Sequence, residues 1–166
     1  MNRKPNKERD LYPDVIRWFS TLLKEKNRHS RVSVFDTSQV SLWKFLKNNG
    51  YSMYFKEYLS YEIQVDITGV VLGKKTARLA FIECKLKRIT LKDISQLLGY
   101  SRVARPYYSI ITSPSGISSS VNYLLKCYNR YDILKYDDKR RIRIATWDLV
   151  RKEIDLRSIL PPGEHF

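Results

Sequence analysis

The run Leu79-Ala80-Phe81-Ile82-Glu83-Cys84-Lys85 constrains the fold more than any other segment of the chain. Four consecutive apolar residues cover both faces of an extended strand, so that strand belongs in the centre of a sheet covered on both sides. Read from Arg78 to Leu86, the same strand carries an acid and a lysine at its end. Ionised groups in such a place are costly unless they are paired or hold a metal. Glu83 and Lys85 are two positions apart and therefore share one face.

The segments around this strand alternate between β and α patterns. Tyr61 to Val71 sets Tyr61, Ile63, Val65 and Ile67 against Glu62, Gln64, Asp66 and Thr68, which predicts a half-buried strand. Gly73-Lys74-Lys75 then makes a turn, so Asp66 and Glu83 face each other across a hairpin. Ahead of it, Leu11, Val15, Phe19, Leu22 and Leu23 predict a helix over about 8–27, with Pro13 in its first turn. Residues 1–10 read as a loose basic arm or the lead-in to that helix, 31–36 as a short strand, and 41–48 as a short helix ending at Asn48-Asn49-Gly50.

After the hairpin, Thr90 and Asp93 are placed to cap a helix reciprocally. That helix should run to about Ala104 and stop before Pro106, with Leu91, Ile94 and Leu98 towards the core. Tyr107 to Thr112 reads as a strand, Ser113-Pro114-Ser115-Gly116 as a turn and 118–128 as a helix. Residues 131–147 read as two strands around Asp137-Asp138-Lys139-Arg140, and Pro161-Pro162-Gly163 as tail. No repeat or linker interrupts the pattern, which describes a single α/β domain over 1–166.

Charge narrows the choice of partner. Lys and Arg total 31 against 17 acids, a net charge of +14, and the chain holds 12 tyrosines able to stack on bases. A surface this basic predicts a polyanionic partner, nucleic acid before all others. The apolar runs are too short for a transmembrane helix, which needs about 20 residues. No apolar stretch follows Met1-Asn2-Arg3-Lys4, so no secretory signal is expected and a soluble, cytoplasmic protein is. Cys84 and Cys127, with His29 and His165, fit no zinc spacing, and both cysteines are expected to be small buried hydrophobes rather than a disulfide. Neither histidine stands by a nucleophile, which argues against serine or cysteine hydrolase chemistry.

Asp66 sits among Ile63, Val65 and Ile67, and with Glu83 and Lys85 it makes a hard-oxygen site suited to Mg²⁺. Phosphodiester hydrolysis needs a cation to neutralise charge in the transition state and to acidify a bound water. A lysine there can position the water or stabilise the developing charge. The plain alternative is a structural salt bridge.

The run Gln64-Val65-Asp66 followed by Phe81-Ile82-Glu83-Cys84-Lys85 resembles the PD-(D/E)xK nuclease superfamily, which includes restriction endonucleases, Holliday junction resolvases and RecB-type exonuclease domains. Val65 stands where many members have proline. Gln96 and Tyr100 reproduce the Q-x-x-x-Y element of RecB-like members, and about 40° separates them on one helical stripe. The likeness covers about 8–112 and implies a restriction-endonuclease-like core, a central mixed β-sheet flanked by helices. It further implies that Asp66, Glu83 and the Cys84 backbone carbonyl bind Mg²⁺ or Mn²⁺. Glu8 would complete the shell from the first helix, with Asp10 and Asp14 as alternatives. By the same likeness Lys85 would orient the attacking water, Gln96 would fix Lys85 or the substrate phosphate, and Tyr100 would support Gln96. Cleavage would leave a 5′-phosphate.

Lys87 and Arg88 add positive charge beside this site, and Lys135, Lys139, Arg140, Arg141 and Arg143 read as a second grip on a phosphate backbone. Gly69 to Thr76 only hints at a phosphate loop, because its spacing is wrong and no helix follows. The expected function is therefore a Mg²⁺-dependent DNA nuclease. A DNA-binding protein on a degenerate nuclease fold is the first alternative, and an RNA-binding or purely structural domain the second. A homodimer would be one way to cut both strands of a duplex.

Overall fold

A six-stranded mixed sheet forms the centre of the computed structural model, which describes residues 5–166. The start Met1-Asn2-Arg3-Lys4, expected as part of a loose arm, lies outside the described residues. The chain runs through α1 (Tyr12–Lys26), β1 (Arg31–Asp36), α2 (Leu42–Asn48), β2 (Ile67–Leu72), β3 (Ala77–Cys84), α3 (Leu91–Ala104) and β4 (Tyr108–Ser113). It continues through α4 (Ser119–Asn122), a π-helical turn at Tyr123–Cys127, β5 (Arg143–Asp148) and β6 (Glu153–Leu160). Strands lie side by side in chain order. β2 runs antiparallel to both β1 and β3; β3, β4 and β5 are parallel; and β6 returns antiparallel to β5. Both parallel steps, β3 to β4 and β4 to β5, are bridged by helical crossovers, as that geometry demands.

β3 is buried on both faces, as its composition requires. Leu79 and Phe81 enter the core beneath α2, α3 and α4. Ala80, Ile82 and Cys84 enter the opposite core beneath α1. α1 approaches β2 so closely at Gly69 that a methyl group there would lie 2.6 Å from Leu23 Cδ1 and 3.3 Å from Phe19 Cε1. Thr90 and Asp93 form the expected reciprocal cap, the Thr90 N–H donating to Asp93 Oδ2 at 2.8 Å, and α3 ends at Ala104. Among the described residues no helix is long and apolar enough to cross a membrane.

Four expectations are corrected. Residues 61–66 keep the alternation, with Tyr61, Ile63 and Val65 buried, but they form no ladder, and β2 starts only at Ile67. Their carbonyls are used by α2 instead: the Leu42 and Trp43 N–H groups donate to Ile63 and Tyr61 at 2.8 and 3.2 Å. Of the two strands expected over 131–147, the first is a 3-10 turn at Tyr131–Leu134 with a single bridge from Lys135 to Arg141. Leu91 is 49% exposed, and the buried face of α3 is Ile94, Leu97, Ser101 and Ala104. Cys127 is exposed, so only Cys84 behaves as a buried hydrophobe.

β6 was not foreseen. It is polar along its middle and leaves the ladder there: between Ile144 and Thr146 of β5 the partner changes from Leu160 to Asp155. Inside this bulge the Ser158 hydroxyl takes the Thr146 N–H at 2.7 Å and itself donates to the Asp155 carbonyl at 2.6 Å. The Arg157 N–H turns to Asp155 Oδ1 at 3.0 Å.

Candidate active site

Three polar side chains meet where β3 leaves the sheet. The Lys85 N–H donates to the Thr112 carbonyl at 2.9 Å, which carries the strand's path beyond Cys84. Glu83 and Lys85 therefore emerge on the same side, and Lys85 Nζ reaches Glu83 Oε1 at 3.0 Å. Ile67 pairs with Ile82, so Asp66, one residue before β2, comes opposite Glu83. Its carboxylate is fixed from two directions: Oδ2 accepts the Cys84 N–H at 2.8 Å and Oδ1 accepts the Tyr12 hydroxyl at 2.6 Å. Asp66 thus caps a backbone donor where the β2 ladder has ended.

Glu83 is only 4% exposed, and its Oε2 is buried with no hydrogen-bond partner. Burial, helped by the Asp66 charge, pushes its carboxyl up to about 7 against the opposing pull of Lys85. Burial also raises Asp66, with the Tyr12 and Cys84 hydrogen bonds working the other way. Burial works against the charge on Lys85, but Glu83 and the other nearby acids more than offset it and hold the ammonium above its ordinary range. The half-buried lysine therefore keeps its proton while Glu83 is the group that titrates near neutrality. The Tyr12 hydroxyl is raised by burial and by Asp66, and the Cys84 thiol by burial, so neither ionises.

Glu8 lies in a 3-10 turn, Glu8–Asp10, just before α1. It shares with Lys7, Lys85, Lys87 and Arg88 the wall of an open cleft of about 560 Å³. The two alternative acids are engaged elsewhere. Asp10 Oδ2 accepts the Asn6 and Lys7 N–H groups at 2.8 and 2.9 Å, and Asp14 pairs with Lys152 at 3.2 Å and with Arg17 at 3.4 Å. Among the described residues no three His, Cys, Asp or Glu side chains gather closely enough to form a metal-binding group on their own.

Gln96 and Tyr100 occupy one stripe of α3, as expected, and Gln96 Nε2 donates to the Tyr100 hydroxyl at 3.1 Å. Among the described residues no hydrogen bond joins either of them to Asp66, Glu83 or Lys85.

The basic residues separate into two groups. Lys87 and Arg88 line the cleft beside the acids. Of the other five, Arg140 lies towards the opposite end of the sheet, beside the Arg105 and Pro106 carbonyls that precede β4, whereas Arg143, at the start of β5, is level with Ile82 through Ile110 and two strands to the side. Three of the five have structural work. Arg140 Nη1 donates to the Arg105 and Pro106 carbonyls, each at 2.9 Å, and its guanidinium pairs with Asp137. Arg141 and Arg143 both pair with Glu164, and Arg143 also lies over the rings of Tyr108 and Phe166 at 5.1 and 5.6 Å. Lys135 and Lys139 are exposed.

Sequence reasoning missed Tyr12 and Lys7. Tyr12 reads as an ordinary residue before Pro13, and Lys7 as one cation in a basic run; only the tertiary contact distinguishes them. No protein-family model matches the chain, and no curated protein or solved structure matches it either.

Proposed function

We propose that the protein is a hydrolase that cleaves phosphodiester bonds with the help of a divalent cation. More particularly, it is a deoxyribonuclease of the PD-(D/E)xK type that leaves 5′-phosphate ends. The observation that carries this reading is Glu83, a buried carboxylate with one oxygen unpartnered, facing Asp66 and bonded to Lys85. A buried carboxylate oxygen left unsatisfied is a group that a bound cation would satisfy. The order α1, β1, α2, β2, β3, α3, β4, with Asp66 before β2 and Glu83-Cys84-Lys85 at the end of β3, supports the same likeness.

The oxygen-rich donors fit Mg²⁺ or Mn²⁺, with Asp66 and Glu83 as side-chain ligands, the Cys84 carbonyl as a third donor, and Glu8 reaching in from the cleft wall. The cation, when bound, would neutralise charge on the phosphate and acidify a water. The chain's own groups do the remainder. Tyr12 and the Cys84 N–H hold Asp66 in one orientation. Lys85, protonated and tethered to Glu83, can donate to the attacking water or to a phosphate oxygen. Lys7, Lys87 and Arg88 would bind the flanking phosphates. Gln96 and Tyr100 would support Lys85 or the phosphate from α3.

The test is incubation of the protein and a Lys85→Ala variant with labelled DNA in Mg²⁺, Mn²⁺ or EDTA. Cleavage should require the metal and fall by roughly a hundredfold or more in the variant, while DNA affinity stays within a few-fold. Tight binding without cleavage in any metal would leave a DNA-binding protein and overturn the catalytic assignment.

A further inference from the structure

A second cleft, of about 680 Å³, lies beside the first, between the N-terminal segment and the turn that joins β5 to β6. We infer that it receives an unpaired nucleobase of the bound strand, so that the protein acts on DNA carrying unpaired nucleotides. This inference rests on the nuclease reading and names its substrate class.

The size lies within the roughly 300–1,000 Å³ of small-ligand clefts. Its apolar wall is made by Leu11, Trp147, Leu149 and Val150. Val150 is 84% exposed and gives the cleft accessible apolar surface. Trp147, nearly buried and met edge-on by Trp18 at 5.9 Å, backs this wall and keeps it firm, while the more accessible Leu149 and Val150 supply the apolar surface a base would touch. Lys152 adds a cation on the far side, anchored by Asp14.

Asn6 and Lys7 line both clefts and form the ridge between them. The ridge is fixed, because both backbone N–H groups are tied to the Asp10 carboxylate. One side therefore offers Lys7, Lys85, Lys87 and Arg88 to phosphates, and the other offers an apolar wall. A strand held by its phosphates in the first cleft can reach the second by turning one base over the ridge. A base in a duplex cannot do so without leaving its stack and its partner. Single strands, flaps and frayed ends satisfy the arrangement, and uninterrupted duplex does not.

The experiment measures binding in EDTA, where no cutting occurs. A short single-stranded oligonucleotide is compared with the blunt duplex of the same sequence, and a single abasic site is walked along the strand. The single strand should bind roughly tenfold more tightly, and one abasic position should remove most of that advantage. Val150→Glu, at an exposed site that leaves the fold intact by thermal melting, should remove it too and leave duplex affinity unchanged. Equal affinity for the two forms, an abasic walk without position dependence, or a Val150→Glu protein that binds single strands normally would each overturn the inference. Cutting in Mg²⁺ or Mn²⁺ is scored separately. A protein that passes the binding tests but cuts nothing loses the nuclease reading alone, and one that cuts but ignores abasic sites and Val150→Glu loses the nucleobase cleft alone.

Discussion

At Glu83 a carboxylate that loses its proton at about 4.5 in the unfolded chain keeps it to about 7 in the folded one, because burial and Asp66 oppose the charge. Between those values the folded state binds more protons, so this group's contribution to stability falls as pH rises from about 4.5 to 7 and stays low above that. Glu83→Gln, which removes the titration, should therefore melt above the native protein at about pH 8 and lose most of that advantage by about pH 5. For a chain of this size each kcal/mol corresponds to roughly 2–4 °C in Tm. On the proposed metal-dependent reading a divalent cation would compete with the same proton, so the Tm gain from Mg²⁺ should grow as pH rises through 7, measured by paired melts with and without the ion. The acid, its face and its lysine were legible in the sequence because β3 is apolar up to Glu83. The Tyr12 hydroxyl on Asp66 was not, since it joins residues 54 positions apart and no local pattern records such a bond.

Among the elements, α1 and β2 meet with little tolerance. A methyl group at Gly69 would enter space held by Leu23 and Phe19, both fully buried. Gly69→Ala should destabilise the protein by about 1–3 kcal/mol, read from urea unfolding with an unchanged m-value. Its effect should also reach the site, because Tyr12 is the first residue of the helix that would be displaced. The apolar run revealed β3 and the Thr90–Asp93 cap revealed α3, although the buried face of α3 is Ile94, Leu97, Ser101 and Ala104 rather than the expected Leu91, Ile94 and Leu98. Hydrophobic patterning misread residues 61–66, since period-two alternation reports alternate burial and says nothing about whether a neighbouring strand takes the hydrogen bonds. β6 escaped notice for the opposite reason. It pairs with β5, but a bulge interrupts its alternation and turns polar residues outward.

For the whole molecule, a charge of +14 describes an average, and the fold decides where it acts. Arg140, Arg141 and Arg143 are engaged with backbone carbonyls, Glu164 and aromatic rings. Among the described residues Lys87 and Arg88 form no ion pair, and they are exposed along the cleft that Lys85 and Glu8 share. The double reversal Lys87→Glu with Arg88→Glu should weaken DNA binding and reduce the slope of log K against log salt by about 1–2. The matching reversal of Lys135 and Lys139, towards the other end of the sheet, should change that slope by less. Binding titrations across a salt series check both. The bulge in β6 governs what molecules do to one another. An open final strand invites a neighbour to continue the sheet, and repeated addition of that kind ends in filaments. Here Ser158 and Asp155 consume polar groups of the strand from within, and the detour bends its middle out of line. On this side the template is interrupted, so concentrated protein should grow poorly by strand addition through β6, and a symmetric pair, where one forms, would join through another face.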